Sequence, residues 1–126
     1  MNERKCVVLC IDDDQDVLDS VRLILESRGC IVQTAASAGA GLKLYQAGRP
    51  DLVIVDLMME EADSGITFVQ KIKTLGPMPP VYMLSSVGDA LTWNVDSETL
   101  NLTGVLQKPV VPEVLLKTVE HVLKRF

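Results

Sequence analysis

The sequence has few aromatic residues, a single histidine and no long apolar run. Aromatic side chains make up 4% of the 126 residues. The longest apolar runs, such as residues 6–11, are far shorter than the roughly 20 residues that a membrane-spanning helix needs. The apolar run after the short basic start ends in three aspartates and lacks a cleavage-site pattern, so it does not resemble a signal peptide. We therefore expect a cytoplasmic protein without a membrane segment.

Positive charge is also scarce. Twelve Lys and Arg residues stand against seventeen Asp and Glu residues, which gives a net charge of −5. Proteins that bind nucleic acids usually carry a basic face, because neutralising phosphates supplies much of the affinity. The charge balance therefore argues against direct binding to nucleic acid and against an anionic membrane surface.

The chain has only three cysteines, Cys6, Cys10 and Cys30. Hydrophobic residues form 48% of the sequence, and a chain of this length buries roughly two-thirds of its unfolded surface, so it needs no disulfide. The spacing of Cys6 and Cys10 could be read as a metal pair, but both lie in a strand-like run with no second ligand pair nearby. We expect three free, buried thiols in one domain over residues 1–126.

Short apolar runs alternate with longer amphipathic stretches along the chain. The strand-like runs are Cys6–Ile11, Ile31–Ala35, Leu52–Val55, Val81–Leu84 and Val105–Leu106. The helix-like stretches are Asp16–Arg28, Ser37–Ala47, Ile66–Leu75 and Val111–Phe126. This alternation predicts an α/β fold with a parallel sheet covered on both faces and right-handed crossovers.

The segment 86–103 is the weakest part of this pattern. It contains several polar residues that are poor in helix interiors, although apolar residues still recur at helical spacing. We expect a short or irregular fourth helix there.

Chemically active side chains follow four of the predicted strands. Asp12, Asp13 and Asp14 follow the first strand, and Asp56 follows the third. Ser85 and Lys108 follow the fourth and fifth strands. The carboxyl ends of parallel strands share one edge of a sheet, which is where such sheets bind ligands. These groups should therefore meet in one site.

The charges indicate what this site does. Clustered carboxylates repel each other, and oxygen ligands without His or Cys favour Mg²⁺ as the counter-ion. A lone carboxylate such as Asp56 can attack phosphorus, while Lys108 and Ser85 can contact phosphoryl oxygens. The set indicates a carboxylate that accepts a phosphoryl group with the help of a metal.

These residues resemble the signature of receiver domains of two-component response regulators. The resemblance rests on Asp12-Asp13 after CVVLCI, Asp56 after LVIV, Ser85 after VYML and Lys108-Pro109 after VLQ. It covers nearly the whole chain. It implies a flavodoxin-like (βα)5 three-layer sandwich with strand order 2-1-3-4-5, and a cis peptide bond between Lys108 and Pro109.

The resemblance also implies how the metal is held. Asp56 is then the phosphoacceptor, and Asp13 and Asp56 bind Mg²⁺ directly. The backbone carbonyl of Met58 completes the protein ligands. Asp12 acts through a metal-bound water.

The resemblance further implies a switch and its partners. Ser85 is the switch hydroxyl that turns toward the phosphoryl group, and Lys108 contacts that group. The donor is a sensor histidine kinase or a phosphotransfer protein, and the signal passes to a downstream protein or a fused output domain. Homodimers are common in the family, but no residue of this sequence decides that state. Val105 occupies the place of the usual aromatic on the fifth strand, which casts doubt on the usual output geometry.

Two other functions compete with a signalling switch that is not an enzyme. Asp12 and Asp14 form an Asp-x-Asp pair that a Mg²⁺-dependent phosphohydrolase with an aspartyl-phosphate intermediate could use, but the sequence has no cap domain and Asp56 would be unexplained. The second alternative is a degenerate receiver that binds partners without phosphorylation. The complete acidic, hydroxyl and lysine set argues against it, whereas Val105 and the unusual loop after Asp56 keep it open.

Overall fold

A computed structural model describes residues 5–59, 64–86 and 102–123. Within these ranges five strands and four helices follow one another along the chain. They are β1 (Val7–Ile11), α1 (Gln15–Glu26), β2 (Ile31–Ala35), α2 (Ala38–Ala47), β3 (Leu52–Asp56), α3 (Ser64–Lys73), β4 (Val81–Ser85), β5 (Gly104–Gln107) and α4 (Pro112–Leu123).

The strands form one parallel sheet in the order β2-β1-β3-β4-β5. This confirms the flavodoxin-like fold and the predicted strand order. The central strands β1 and β3 are buried almost throughout, as their unbroken apolar sequences predict for strands covered on both faces. The edge strands β2 and β5 expose part of their side chains.

Alternate residues of β1 point into two separate apolar layers. Val8 and Cys10 pack in the layer that α1 and α4 cover, and Leu9 and Ile11 pack in the layer that α2 and α3 cover. Because successive side chains of a strand point to opposite faces, an apolar run of this kind fills both layers of the sandwich. The three-layer arrangement follows from this pattern.

The helix starts agree with the capping residues in the sequence. The Asp14 carboxylate accepts a hydrogen bond from the backbone N–H of Asp16 at the start of α1, and the Ser37 hydroxyl accepts one from Ala40 at the start of α2. Gly29 follows α1 with φ +83°, a conformation that favours glycine. These caps hold the loops that follow β1 and β2.

Several predicted boundaries differ from the structure. β3 and β4 each extend one residue further than predicted, so Asp56 and Ser85 are the last residues of their strands. The prediction that the closing helix starts at Val111 was wrong by one residue: Val111 precedes α4 and is exposed, because Pro112 supplies the first helical position. The predicted helix over 86–103 falls on residues that, except at its ends, lie outside those described. None of the described helices is long and apolar enough to cross a membrane.

Candidate functional site

The predicted site residues meet at the carboxyl edge of the sheet. Asp12 follows β1 and is fully buried, whereas Asp13 beside it is exposed. Asp56 ends β3 and Ser85 ends β4, and both are buried. Lys108 follows β5 with its side chain mostly covered. The parallel register therefore brings together residues that are far apart in sequence.

Lys108 bridges the two buried carboxylates. Its ammonium Nζ lies 2.9 Å from Oδ2 of Asp12 and 3.2 Å from Oδ2 of Asp56. Carboxylate oxygens of Asp12, Asp13 and Asp56 lie within 4.8 Å of one another. One ammonium thus contacts two of the three clustered carboxylates, and the cluster keeps an excess of negative charge.

This excess changes the proton affinity of the site. Burial, and then the nearby Asp12 carboxylate, raise the pKa of Asp56 to about 6, although Lys108 and the backbone N–H of Met58 act in the opposite direction. Partial burial opposes the charged form of Lys108, but its contacts with Asp12 and Asp56 raise its pKa. Lys108 therefore stays protonated. Its positive charge does not fully offset the effects of burial and of Asp12 on Asp56.

Backbone contacts hold Asp56 in position. The N–H of Leu57 donates to the carbonyl of Leu84 at 2.9 Å, and the N–H of Gly65 donates to the carbonyl of Leu57 at 3.0 Å. A Cβ at position 65 would lie 2.1 Å from the backbone carbonyl oxygen of Asp56. The start of α3 therefore packs against the end of β3 at a distance that only glycine permits.

The end of β4 is hydrogen bonded to Lys108. The backbone N–H of Lys108 donates to the carbonyl of Ser85 at 2.8 Å. The Ser85 hydroxyl donates to the carbonyl of Ser86 at 3.2 Å. The Lys108-Pro109 peptide bond is cis, as the family resemblance implied. Ser85 and Lys108 are thus adjacent through the backbone as well as through the sheet.

The donor set fits a hard divalent cation. The three clustered carboxylates supply only oxygen atoms, which is typical of sites for Mg²⁺. The like charges within 4.8 Å need a counter-ion beyond Lys108. That the Met58 carbonyl is a further ligand stays a prediction.

The Asp-x-Asp pair is not a unit in the structure. Asp12 is buried beside Lys108, whereas Asp14 is exposed and its carboxylate accepts the hydrogen bond that caps α1. The backbone N–H of Asp14 also donates to Oδ1 of Asp12 at 2.9 Å. Asp14 therefore orients Asp12 and caps a helix, and the feature that favoured a phosphohydrolase loses its support.

Comparison with known proteins identifies the family. The model of the response regulator receiver domain matches residues 8–120. The chain belongs to this family. It is 31% identical over 125 residues to the transcriptional regulatory protein GlrR of Escherichia coli K12, covering 99% of this chain and 28% of GlrR. It is 30% identical over 118 residues to the response regulator MprA of Mycolicibacterium vanbaalenii, covering 94% of this chain and 50% of MprA.

Solved structures agree with this receiver fold. The chemotaxis response regulator CheY4 of Vibrio cholerae superposes with a TM-score of 0.82 at 30% identity, covering 94% of this chain and 99% of CheY4. NtrX of Brucella abortus gives a TM-score of 0.85 at 27% identity over 97% of this chain and 28% of NtrX. The receiver thus spans about a quarter to a half of GlrR, MprA and NtrX, and nearly all of CheY4.

Two features of the receiver site were missed by the sequence reasoning. The first is that Lys108 bridges Asp12 and Asp56, since sequence order does not reveal which carboxylates an ammonium contacts. The second is the close approach of Gly65 to Asp56. The only signal for it was a glycine soon after the strand, and many glycines occur there for other reasons.

Proposed function

We propose that this receiver is a phosphorylation-controlled switch in which Asp56 accepts a phosphoryl group in a Mg²⁺-dependent reaction. The observation that supports this most is the cluster of Asp12, Asp13 and Asp56 against Lys108 at one edge of the sheet. We take residues 1–126 as one receiver domain and propose that it acts in the cytoplasm.

Asp56 is the nucleophile of the proposed transfer. An Oδ atom of Asp56 forms a bond to phosphorus while the bond between phosphorus and the donor breaks, and the donor leaves with that electron pair. The pKa of about 6 in the metal-free site leaves the Asp56 carboxylate ionised at neutral pH, as attack on phosphorus requires. Lys108 stabilises the negative charge that the phosphoryl oxygens bring into the site.

Mg²⁺ would be held by Asp13 and Asp56, by the backbone carbonyl of Met58, and by Asp12 through water. When bound, it supplies positive charge that offsets the carboxylates and the phosphoryl oxygens. The chain contributes the fixed positions of these ligands. Asp12 is anchored by the backbone N–H of Asp14, and Asp56 by the packing of Gly65.

Ser85 and Lys108 respond to the phosphorylation of Asp56. The phosphoryl group offers them more acceptor oxygens than the bare carboxylate does, so their contacts favour the phosphorylated conformation. Ser85 then turns its hydroxyl from the Ser86 carbonyl to a phosphoryl oxygen. The change reaches the surface that includes β5 and α4, where a downstream protein or an output domain binds.

A sensor histidine kinase or a phosphotransfer protein is the proposed donor. This inference rests on membership of the response regulator receiver family, to which the relatives named as regulatory proteins, GlrR and MprA, are also similar. Both are longer than this chain, which fits an output domain joined to a receiver.

The test is the intact mass of the protein after incubation with acetyl phosphate and Mg²⁺. We expect wild type to gain one phosphoryl group and Asp56→Asn to gain none. Chelating Mg²⁺ beforehand should prevent the gain in wild type. Asp19→Asn removes an exposed carboxylate of α1 outside the cluster and is the matched control, which should react like wild type.

Two outcomes would contradict the proposal. Equal labelling of Asp56→Asn and wild type would place the phosphoryl group elsewhere. No labelling of either protein, with no release of phosphate from added phosphoesters, would leave a degenerate receiver that acts only by binding.

A further inference from the structure

Two of the three cysteines face each other at the amino edge of the sheet, the end opposite the phosphorylation site. Val7 of β1 pairs with Ile31 of β2, and the N–H of Ile31 donates to the carbonyl of Cys6 at 2.9 Å. Cys6 and Cys30 each precede this pair by one residue. The Cys6 thiol lies near enough to the Cys30 sulfur to lower its pKa. The register and the shared apolar layer thus place the two thiols side by side.

The backbone spacing suits a covalent bond between them. Neighbouring strands lie about 4.8 Å apart, which falls inside the range of Cα separations that disulfides accept. Both side chains point into the same apolar layer, between the sheet and α1 and α4.

We infer that Cys6 and Cys30 are a redox-active dithiol that peroxides convert to a reversible disulfide. Nothing in the phosphoryl-transfer chemistry uses either thiol, so this inference does not depend on the proposed function. The bond would join the residues that precede β1 and β2, and the closed loop would contain β1, α1, Asp12 and Asp13.

The reaction balances with hydrogen peroxide as the oxidant. The Cys30 sulfur attacks one peroxide oxygen, the O–O bond breaks, and water leaves, so that Cys30 becomes a sulfenic acid. The Cys6 sulfur then attacks the Cys30 sulfur, the S–O bond breaks and a second water leaves. Two thiols lose two electrons and two protons in total, and one peroxide becomes two waters.

Cys30 is the cysteine that reacts first. It is 6% exposed and Cys6 is 3% exposed, so peroxide reaches Cys30 more easily. Burial raises the pKa of the Cys30 thiol, although the Cys6 thiol and the nearby Arg28 guanidinium oppose this. Little thiolate is therefore present at neutral pH, and the pair stays reduced until oxidant is plentiful.

Cys10 provides a matched control within the same strand. It lies four residues from Cys6, about 13 Å along the strand, which is too far for a bond to Cys6. It is fully buried, and burial together with Asp12 raises the pKa of its thiol to about 12. Cys10 therefore tests whether burial in this layer is enough for oxidation, or whether a facing thiol is needed.

The experiment is peptide mapping by mass spectrometry after the folded wild-type protein is treated with hydrogen peroxide. We expect one intramolecular disulfide that joins Cys6 to Cys30, loses two hydrogens from the intact mass and returns to the dithiol with reductant. Cys10→Ala should give the same product. Cys6→Ala and Cys30→Ala should give no intramolecular disulfide.

A second measurement does not depend on the variants. The disulfide closes a loop of about 25 residues, which should raise Tm by on the order of 10 °C in oxidised wild type, and reductant should reverse the increase. A disulfide that contains Cys10, a disulfide between two molecules, or pairing that appears only in urea would overturn the inference. Recovery of all three thiols unmodified, or over-oxidation of Cys30 to a sulfinic acid without a disulfide, would also overturn the inference.

Discussion

The two ends of the sheet are built from opposite kinds of contact. At the amino edge polar groups are paired: Asp51 accepts a hydrogen bond from the N–H of Val7 and donates its own N–H to the Val7 carbonyl, both at 2.8 Å. Thr103 makes the same two-way contact with Val81. At the carboxyl edge three carboxylates cluster around a site with one ammonium, which contacts only two of them. Backbone pairing at one edge stabilises the fold, while the other edge keeps an excess of negative charge that a bound cation can offset.

The largest expected effect comes from the packing that positions Asp56. Gly65→Ala would place a methyl group 2.1 Å from the Asp56 carbonyl oxygen, which belongs to the backbone and cannot rotate away. We expect a loss of about 3 kcal/mol in the free energy of unfolding, measured with urea. Phosphorylation by acetyl phosphate should also slow, because α3 and the end of β3 must separate.

Gly39→Ala is the control for this change. Gly39 lies in α2 with no atom near the added methyl group, so stability should rise by up to about 1 kcal/mol. Equal behaviour of the two alanine variants would show that the close approach at Gly65 is unimportant.

The charge imbalance makes a second prediction, in which loss of the phosphoacceptor stabilises the protein. The pKa of Asp56 is about 6 in the folded protein against an ordinary value of 3.8, so the fold disfavours the ionised carboxylate. In EDTA at pH 7.5, Asp56→Asn should therefore unfold with a free energy about 2 kcal/mol larger than that of wild type.

The pH dependence gives the sign of this effect. As pH falls from 6 toward 4, Asp56 takes up a proton in the folded protein while it is still ionised in the unfolded chain, which favours the folded wild type. The advantage of Asp56→Asn should shrink over this window and vanish below it. Urea melts at pH 7.5 and pH 5 measure the difference. A constant advantage at both values would point to packing rather than charge.

At the amino edge, loss of a carboxylate should lower the free energy of unfolding, in contrast to Asp56→Asn. Asp51→Ala leaves the N–H of Val7 without this acceptor and should lower the free energy of unfolding by about 1 kcal/mol. The rate of phosphorylation should stay at the wild-type value, since the change is at the far end of β1. Asp19→Ala, on the exposed face of α1, is the control for removing a carboxylate. Slower phosphorylation of Asp51→Ala, but not of Asp19→Ala, would show that the amino edge affects the phosphorylation site and would contradict this prediction.

The smallest effect is expected at a surface ion pair between the turn that follows α1 and the last helix. Arg28 and Glu120 lie 3.1 Å apart, with side chains that are 42% and 47% exposed. Solvent screens such pairs, so a double-mutant cycle of Arg28→Ala and Glu120→Ala should give a coupling energy below about 0.5 kcal/mol. A coupling above this value would show that charge pairing outside the site also stabilises the sandwich.

Sequence reasoning worked where one local pattern decides the outcome. The apolar run before Asp12 predicts a doubly buried strand, and Ser37 predicts the start of a helix; both were confirmed. The strand order came from the family resemblance, since local patterns do not specify which strands are neighbours. Groups that follow parallel strands were expected at one edge, and the structure places Asp56 and Ser85 there.

The contacts across the sheet could not be predicted, because they depend on register. A shift of one residue between β1 and β2 would separate Cys6 from Cys30, and no local pattern of either strand specifies that register. The bridge from Lys108 to Asp12 likewise depends on strands that are not adjacent in the sheet. Such contacts are properties of the assembled sandwich.

The most direct test of the account is to locate the phosphoryl group chemically. Borohydride reduces an acyl phosphate of aspartate to homoserine, and tandem mass spectrometry then identifies the position. After treatment with acetyl phosphate and Mg²⁺, we predict homoserine at position 56 and unmodified aspartate at positions 12 and 13. Homoserine at either of those positions, or at none, would contradict the assignment of Asp56 as the phosphoacceptor.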